Sequence, residues 1–350
     1  MALITDATLQ KINEQLGIRN AKLAQFASLY AETTWDQLQI DVKTMTPEQL
    51  LVKYPIGTEM ICKYTLDGTE YNFPWVVMDA RECEWQDGST HPGLWLGAKY
   101  ATIEDIQFDA AEGNEVNLST EPNALAGWYY WGVNGTSYTA LNLATGAAIP
   151  TTYEKVVKCS INNLDVVRYG YNRWSHSGQR QWLNSGANAG EWWEAKHPGD
   201  IAPSQLATRK GFMAGLDSDF LAVINPVKVQ TACNTVTDGG VTDVTYDRFF
   251  LQSLEEVYGV PQASGVEGAY YPYWKEITGL DAPTNGSSSD TNDARKIRKI
   301  NAPTGSAVSV RLRSAFRGYS CNVWSVSSGG YLGTNYANYS YAALPACVIS

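Results

Sequence analysis

Glu191 and Glu194 flank Trp192-Trp193, and paired carboxylates beside stacking indoles are the equipment of glycoside hydrolysis. On a helix, glutamates three apart share one face, too close for attack from both sides of a glycosidic bond. The tryptophans read better as core. His91, His176 and His197 have no GxSxG elbow or HExxH pair to serve, and His197-Pro198-Gly199 reads as a loop. Asp217 with Asp219, or Asp290 with Asp293, could chelate a cation but equally suit a solvated turn. The six cysteines (Cys62, Cys83, Cys159, Cys233, Cys321, Cys347) are scattered without a CxxC, as buried thiols in a reducing compartment are. No catalytic residue, no metal site and no cofactor is expected, and the chain reads as a non-enzyme whose fold chelators leave unchanged.

Recognition chemistry is concentrated at the other end of the chain. After Arg317 there is no Asp, Glu, Lys or Arg, yet the segment is crowded with Tyr, Ser, Asn and Gly. Tyrosine gives a large amphipathic contact at low rotamer cost, and Ser, Gly and Asn adapt their hydrogen bonds, which is why antibody paratopes use them. The expected ligand-binding residues are Phe316, Tyr319, Asn322, Tyr331, Asn335, Tyr336, Asn338, Tyr339 and Tyr341. In a strand through Tyr339–Tyr341 the two tyrosines would point to the same side. Between Phe316 and Tyr341 there is no Lys, Glu, Gln or Met, and Trp324 stands alone of its kind. About five residues of these types are expected in such a window. They are the types unreachable when only the first two adenines of an AAC codon are randomised.

The elements that must hold this segment are partly legible. A net charge of -10 disfavours nucleic acid and anionic membrane as partners, and the short basic run Arg295, Lys296, Arg298 and Lys299 reads as a solvated strand or turn. No signal peptide or membrane span is apparent in the sequence, so synthesis in a bacterial cytoplasm is expected. Twelve Trp and 21 Tyr suit an all-β or α+β core with a binding surface. Residues 1–54 read as a helical attachment or oligomerisation segment, or else as helices folded back on their own domain. Its seam is Leu9, Ile12, Leu16, Leu23, Phe26 and Tyr30, interrupted by Gly17 and Arg19. A second short helix is expected to start at Thr46-Pro47-Glu48-Gln49. From Ile56 the pattern turns to strands. Met60–Tyr64 and Trp75–Met78 join across Asp67-Gly68, a hairpin signal. Residues 105–155 read as an insertion of strands and loops, 178–194 and 205–224 as helical, and 281–293 as a polar surface loop.

One ordered set of blocks carries a resemblance. It comprises Tyr171-Asn172-Arg173-Trp174, Arg180-Gln181-Trp182-Leu183-Asn184, Phe220–Ile224, Asp247-Arg248-Phe249-Phe250-Leu251 and Leu312-Arg313-Ser314-Ala315. Trp324-Ser325-Val326, Gly329-Gly330, Ala337 and the ending Ala343–Ile349 complete it. From about Ile56 to Ser350 the chain resembles the variable proteins of diversity-generating retroelements and a broader domain of unknown function frequent in gut phages and prophages. Leu344 departs from the pattern, which often has Arg there. The resemblance implies an α+β, C-type-lectin-like fold over residues 55–350, related to formylglycine-generating enzymes, whose last strands present variable side chains on a rigid face. Within that superfold, the copper enzymes use two closely spaced cysteines, whereas Cys321 and Cys347 are far apart. Glu121-Pro122-Asn123 matches the calcium-lectin sugar motif literally, but it lies in the insertion without the companion Trp-Asn-Asp strand. The implied role is receptor binding or adhesion by a virion protein. Its partners would be a host cell-surface protein or glycan, other virion proteins through residues 1–54, and further copies of itself, most plausibly as a homotrimer. The alternatives are a decorating virion protein with weak binding, or a glycan-active enzyme.

Overall fold

The computed structural model describes residues 34–263, 266–279 and 293–350. The seam Leu9 to Tyr30, most of the polar stretch 281–293 and Asp290 lie outside the described residues. The strands follow in chain order: β1 (Glu59–Leu66), β2 (Thr69–Glu84), β3 (Thr90–Ala98), β4 (Asp105–Gln107), β5 (Asn114–Glu115), β6 (Tyr129–Asn134), β7 (Ser137–Leu141) and β8 (Lys155–Cys159). Then come β9 (Val227–Ala232), β10 (Thr242–Asp247), β11 (Phe249–Leu251), β12 (Val310–Ala315), β13 (Asn322–Val326), β14 (Leu332–Tyr336), β15 (Ser340–Ala342) and β16 (Pro345–Ile349). With short helices between them, the class is α+β. Among the described residues, no helix is long and apolar enough to cross a membrane.

A first five-stranded sheet runs β1-β2-β3-β16-β11, and a second runs β14-β13-β12-β15-β4. The β1–β2 hairpin closes as Asp67-Gly68 signalled: Leu66 pairs with Thr69, and both turn residues have positive φ, 50° and 79°. A two-residue turn of that kind matches the right-handed twist of its strands. One core cluster includes Phe73, Trp75, Trp174, Trp182, Phe212, Phe220 and Phe249, whose ring contacts join the first sheet to the helices and turns at Trp182, Phe212 and Phe220. Three blocks distant in sequence meet at its edge. Arg180 donates to Asp247 Oδ1 at 2.8 Å and Trp174 Nε1 donates to Asp247 Oδ2 at 3.0 Å. The Asn184 side chain accepts the N–H of Arg248 at 2.8 Å and donates to Phe249 O at 2.7 Å.

The structure redraws three boundaries. Helices Trp35–Thr44 and Pro47–Lys53 do not belong to a separate N-terminal segment, because Leu38, Val42, Leu50 and Tyr54 are buried in the main core. Thr46 does cap the second helix through a reciprocal box with Gln49. The insertion starts later than residue 105: β4 pairs with β15, and Ile106 and Phe108 belong to the main core. It runs on through β8 as a four-stranded sheet, β5-β8-β6-β7, with two small cores of its own around Trp131 and Tyr130. Helix occupies only Gly178–Leu183 of 178–194, and only Ser218–Val223, after a 3-10 turn at Phe212–Gly215, of 205–224. Close packing breaks the second pattern. A Cβ on Gly211 would stand 2.2 Å from the carbonyl oxygen of Ser185.

Candidate functional site

The uncharged C-terminal segment forms the β13–β14 hairpin on one side of β12, β15 on its other side, and β16 in the first sheet. Asn322 pairs with Tyr336, Trp324 with Thr334 and Val326 with Leu332. Paired and alternate residues share a face, so Asn322, Trp324, Thr334 and Tyr336 lie together, while Val323, Ser325, Gly333 and Asn335 point the other way. The first face is continued by aromatic contacts. Phe316 meets Trp324 edge-on at 5.1 Å and stacks on Tyr319 at 5.4 Å. Tyr336 stacks on Tyr169 at 3.9 Å and takes the edge of Tyr339 at 5.8 Å. Tyr319 and Tyr339 are 50% and 49% exposed, the most open of the group.

Two buried polar side chains hold the backbone beneath this face. Arg311, on β12, donates to the carbonyl oxygens of Val323, Asn335, Tyr336 and Tyr339, and its guanidinium lies 4.2 Å from the centre of the Tyr341 ring. It is 0% exposed, and burial pulls its pKa down to about 9. One cation thus ties β13, β14 and the turn into β15 together. Asn172 donates to the carbonyls of Tyr319 (2.7 Å) and Asn322 (2.8 Å) and is itself held by Asn234 at 3.0 Å. The strands are over-determined by these brackets, which lowers the ordering cost on binding.

Of the expected residues, Phe316, Tyr319, Asn322, Tyr336 and Tyr339 come together on this face. Asn335 and Tyr341 do not: Asn335 Nδ2 donates to the Tyr341 hydroxyl at 2.8 Å on the opposite side, over Arg311. Tyr339 and Tyr341 do not alternate as one strand, because β15 begins at Ser340 and Tyr339 is still in a turn whose N–H donates to Tyr336 O at 3.2 Å. Asn338 is an anchor: its side chain donates to Arg168 O at 3.3 Å, and its backbone bonds Tyr169 and Gln107. Tyr331 sits at the other end of β14, roughly 16 Å along the strand from Tyr336. Sequence reasoning missed Tyr169 and Arg168, whose guanidinium lies 4.8 Å from the Tyr169 ring centre. The Trp324 indole is half-buried on the aromatic face and packs against the main core.

The remaining chemistry is redistributed by the fold. Glu191 and Glu194 are exposed on turns rather than a helix, and Glu194 is paired with Lys196, while Trp192 is core. The Glu121 carboxylate is taken by Lys158 and Tyr130. Asp217 accepts the Lys63 N–H at 2.7 Å, and Asp219 is exposed. Cys347 lies in β16 of the first sheet and Cys321 just before β13 of the second; all six cysteines are buried and unpaired. Against the expectation of no metal ligands, Glu112, His197 and Asp200 converge so that one ligand atom of each lies within 4.8 Å of the others.

No curated protein and no solved structure matches the chain. A family model does match over residues 151–350, which is more than half of the sequence and holds the whole aromatic face together with Tyr169, Asn172 and Arg311. The chain belongs to the family described as a domain of unknown function, DUF6273.

Proposed function

We propose that this chain is a ligand-display protein of a phage or prophage virion, built on a C-type-lectin-like fold, that attaches to a protein or glycan on a bacterial surface. The observation that carries this reading is the uncharged aromatic face of Phe316, Tyr319, Trp324, Tyr336 and Tyr339, set on strands bracketed from beneath by Arg311 and Asn172. A C-type-lectin-like variable protein should present side chains on its last strands over a rigid support, and β13 to β15 have that arrangement. Aromatic anchors on preorganised backbone concentrate binding energy at little entropic cost. Catalysis plays no part in this reading.

The adenine-directed codon imprint supports diversification of the same face. Sibling sequences should vary at Tyr319, Asn322, Tyr336 and Tyr339 and keep Arg311, Asn172, Pro345 and Ala346. Labelled chain applied to a panel of bacterial cells should bind a subset of them saturably. The segment after Arg317 is uncharged, and Arg168 and Arg317 flank the face, so this binding should depend only weakly on salt. Absence of saturable binding across the panel, with sibling differences spread evenly along the chain, would leave the decorating role instead.

A further inference from the structure

The convergence of Glu112, His197 and Asp200 lies apart from the aromatic face, where the inserted sheet joins the main body. His197-Pro198-Gly199-Asp200 is a tight turn: the Asp200 N–H donates to His197 O at 3.2 Å, with proline second and Gly199 third at φ +76°. Proline followed by a positive-φ glycine makes a type II turn, which brings its first and fourth side chains to one side. Gly199 is required twice, since a Cβ there would also stand 2.3 Å from the Trp128 ring. The turn delivers His197 Nε2 to 3.2 Å from Glu112 Oε1. Ser160 Oγ holds the other ring nitrogen at 3.0 Å. A hydrogen-bonded second nitrogen is what orients a ligating imidazole.

A fourth group, the carboxyl of Asp109, lies close to Glu112 and Asp200. Asp109 is 1% exposed; one carboxyl oxygen accepts the Tyr171 N–H at 2.8 Å, and the other is buried without a hydrogen-bond partner. The charges acting on it are those of Glu112 and Asp200. Asp200 Oδ1 is likewise buried and unpartnered, its sister oxygen accepting the Lys196 N–H at 2.8 Å. Two orphaned carboxyl oxygens beside a third carboxyl and an imidazole form an arrangement that a divalent cation satisfies and an apolar filling does not.

We infer that Glu112, His197 and Asp200, with Asp109 beside them, form a binding site for a zinc-class divalent transition metal. A tetrahedral zinc with bonds of about 2.0–2.1 Å needs its ligand atoms about 3.4 Å apart, close to the 3.2 Å between His197 Nε2 and Glu112 Oε1. The ligand atoms of all three residues lie within 4.8 Å of one another. Imidazole among the donors favours zinc, cobalt or iron over calcium, which takes oxygen ligands six to eight at a time. The ion would clamp the residue 109–112 segment to the 197–200 turn. Asp109 also donates its N–H to Ala337 O at 3.1 Å, between β14 and β15, so the clamp sits at the root of the display strands.

The test starts with the full chain stripped by EDTA and dialysed. Zn2+ should then bind at one ion per chain by calorimetry and elemental analysis, and raise the melting temperature by several degrees. Asp200→Asn and Glu112→Gln should each weaken binding by roughly tenfold or more, with circular dichroism reporting that they fold. Wild-type chain loaded with Co2+ gives a readout free of any variant's folding. Visible ligand-field bands of a four- or five-coordinate ion without a near-ultraviolet thiolate band would support the site. No retained Zn2+ or Co2+, a strong thiolate band placing the ion on cysteines, or full affinity in folded Asp200→Asn and Glu112→Gln would each overturn it.

Discussion

Arg311 shows how one residue fixes a surface it never touches. Replacing it with Met keeps the volume but removes the charged donors that Arg311 adds at the carbonyls of Val323, Asn335, Tyr336 and Tyr339. The acceptors lost outweigh the hydration such a cation regains on unfolding, so urea unfolding of Arg311→Met should show a loss of about 2 kcal/mol. A second buried residue gives a pH signature. Glu267 is 0% exposed, accepts the Ala232 N–H at 3.1 Å and the Ser314 hydroxyl at 2.7 Å, and burial pushes its carboxyl up to about 7 against the opposing pull of Arg313. A carboxyl raised on folding contributes stability below its unfolded value of about 4.3 and loses it as pH rises through the folded value. Unfolding free energy should therefore fall between pH 4.5 and 8 by up to about 3 kcal/mol from this group. The slope should be flatter in Glu267→Gln; equal slopes would remove Glu267 as the cause. Neither residue could be assigned from sequence. An arginine that serves carbonyls and a glutamate buried against a β-strand N–H look like any surface charge until the partners, up to 47 positions away for Glu267, are known.

At the scale of elements, local signals were the legible ones. The Asp67-Gly68 turn, the Thr46–Gln49 capping box and the strand character of 60–64 and 75–78 each depend on a few adjacent residues, and all formed. Failures arose where a tertiary contact decided the outcome. The helical patterns at 178–194 and 205–224 were cut short by packing, and Tyr339 fell outside the strand alternation because β15 starts one residue later. The metal-ligating set was invisible for a related reason. Glu112 stands 85 residues from His197 and meets it only once the inserted sheet docks on the main body. The segment that composition singled out, Phe316 to Tyr341, is spread by the fold over two faces rather than one. Pairing register sent Asn335 and Tyr341 to one side, and Tyr169 entered from a helix that composition gave no reason to connect with it.

For the molecule as a whole, the display unit begins earlier than its strand pattern does. Leu38, Val42, Leu50 and Tyr54 are each no more than 1% exposed in the main core. Losing one large buried side chain costs about 2–5 kcal/mol, and a domain holds only about 5–15 kcal/mol in total. A chain starting at residue 55 should therefore fail to fold by circular dichroism, while the full chain melts cooperatively. The same full-length scaffold serves for the central claim, that the aromatic face makes the attachment. The most direct measurement is the affinity of a Tyr319→Ala/Tyr336→Ala/Tyr339→Ala variant for a cell surface that wild-type chain binds, with melting temperature measured in parallel and Tyr341→Phe as the control on the opposite face. At about 2 kcal/mol for each buried anchor, the triple variant should lose binding by well over a hundredfold while melting within a few degrees of wild type, and Tyr341→Phe should bind normally. Unchanged affinity in the folded triple variant would contradict the account.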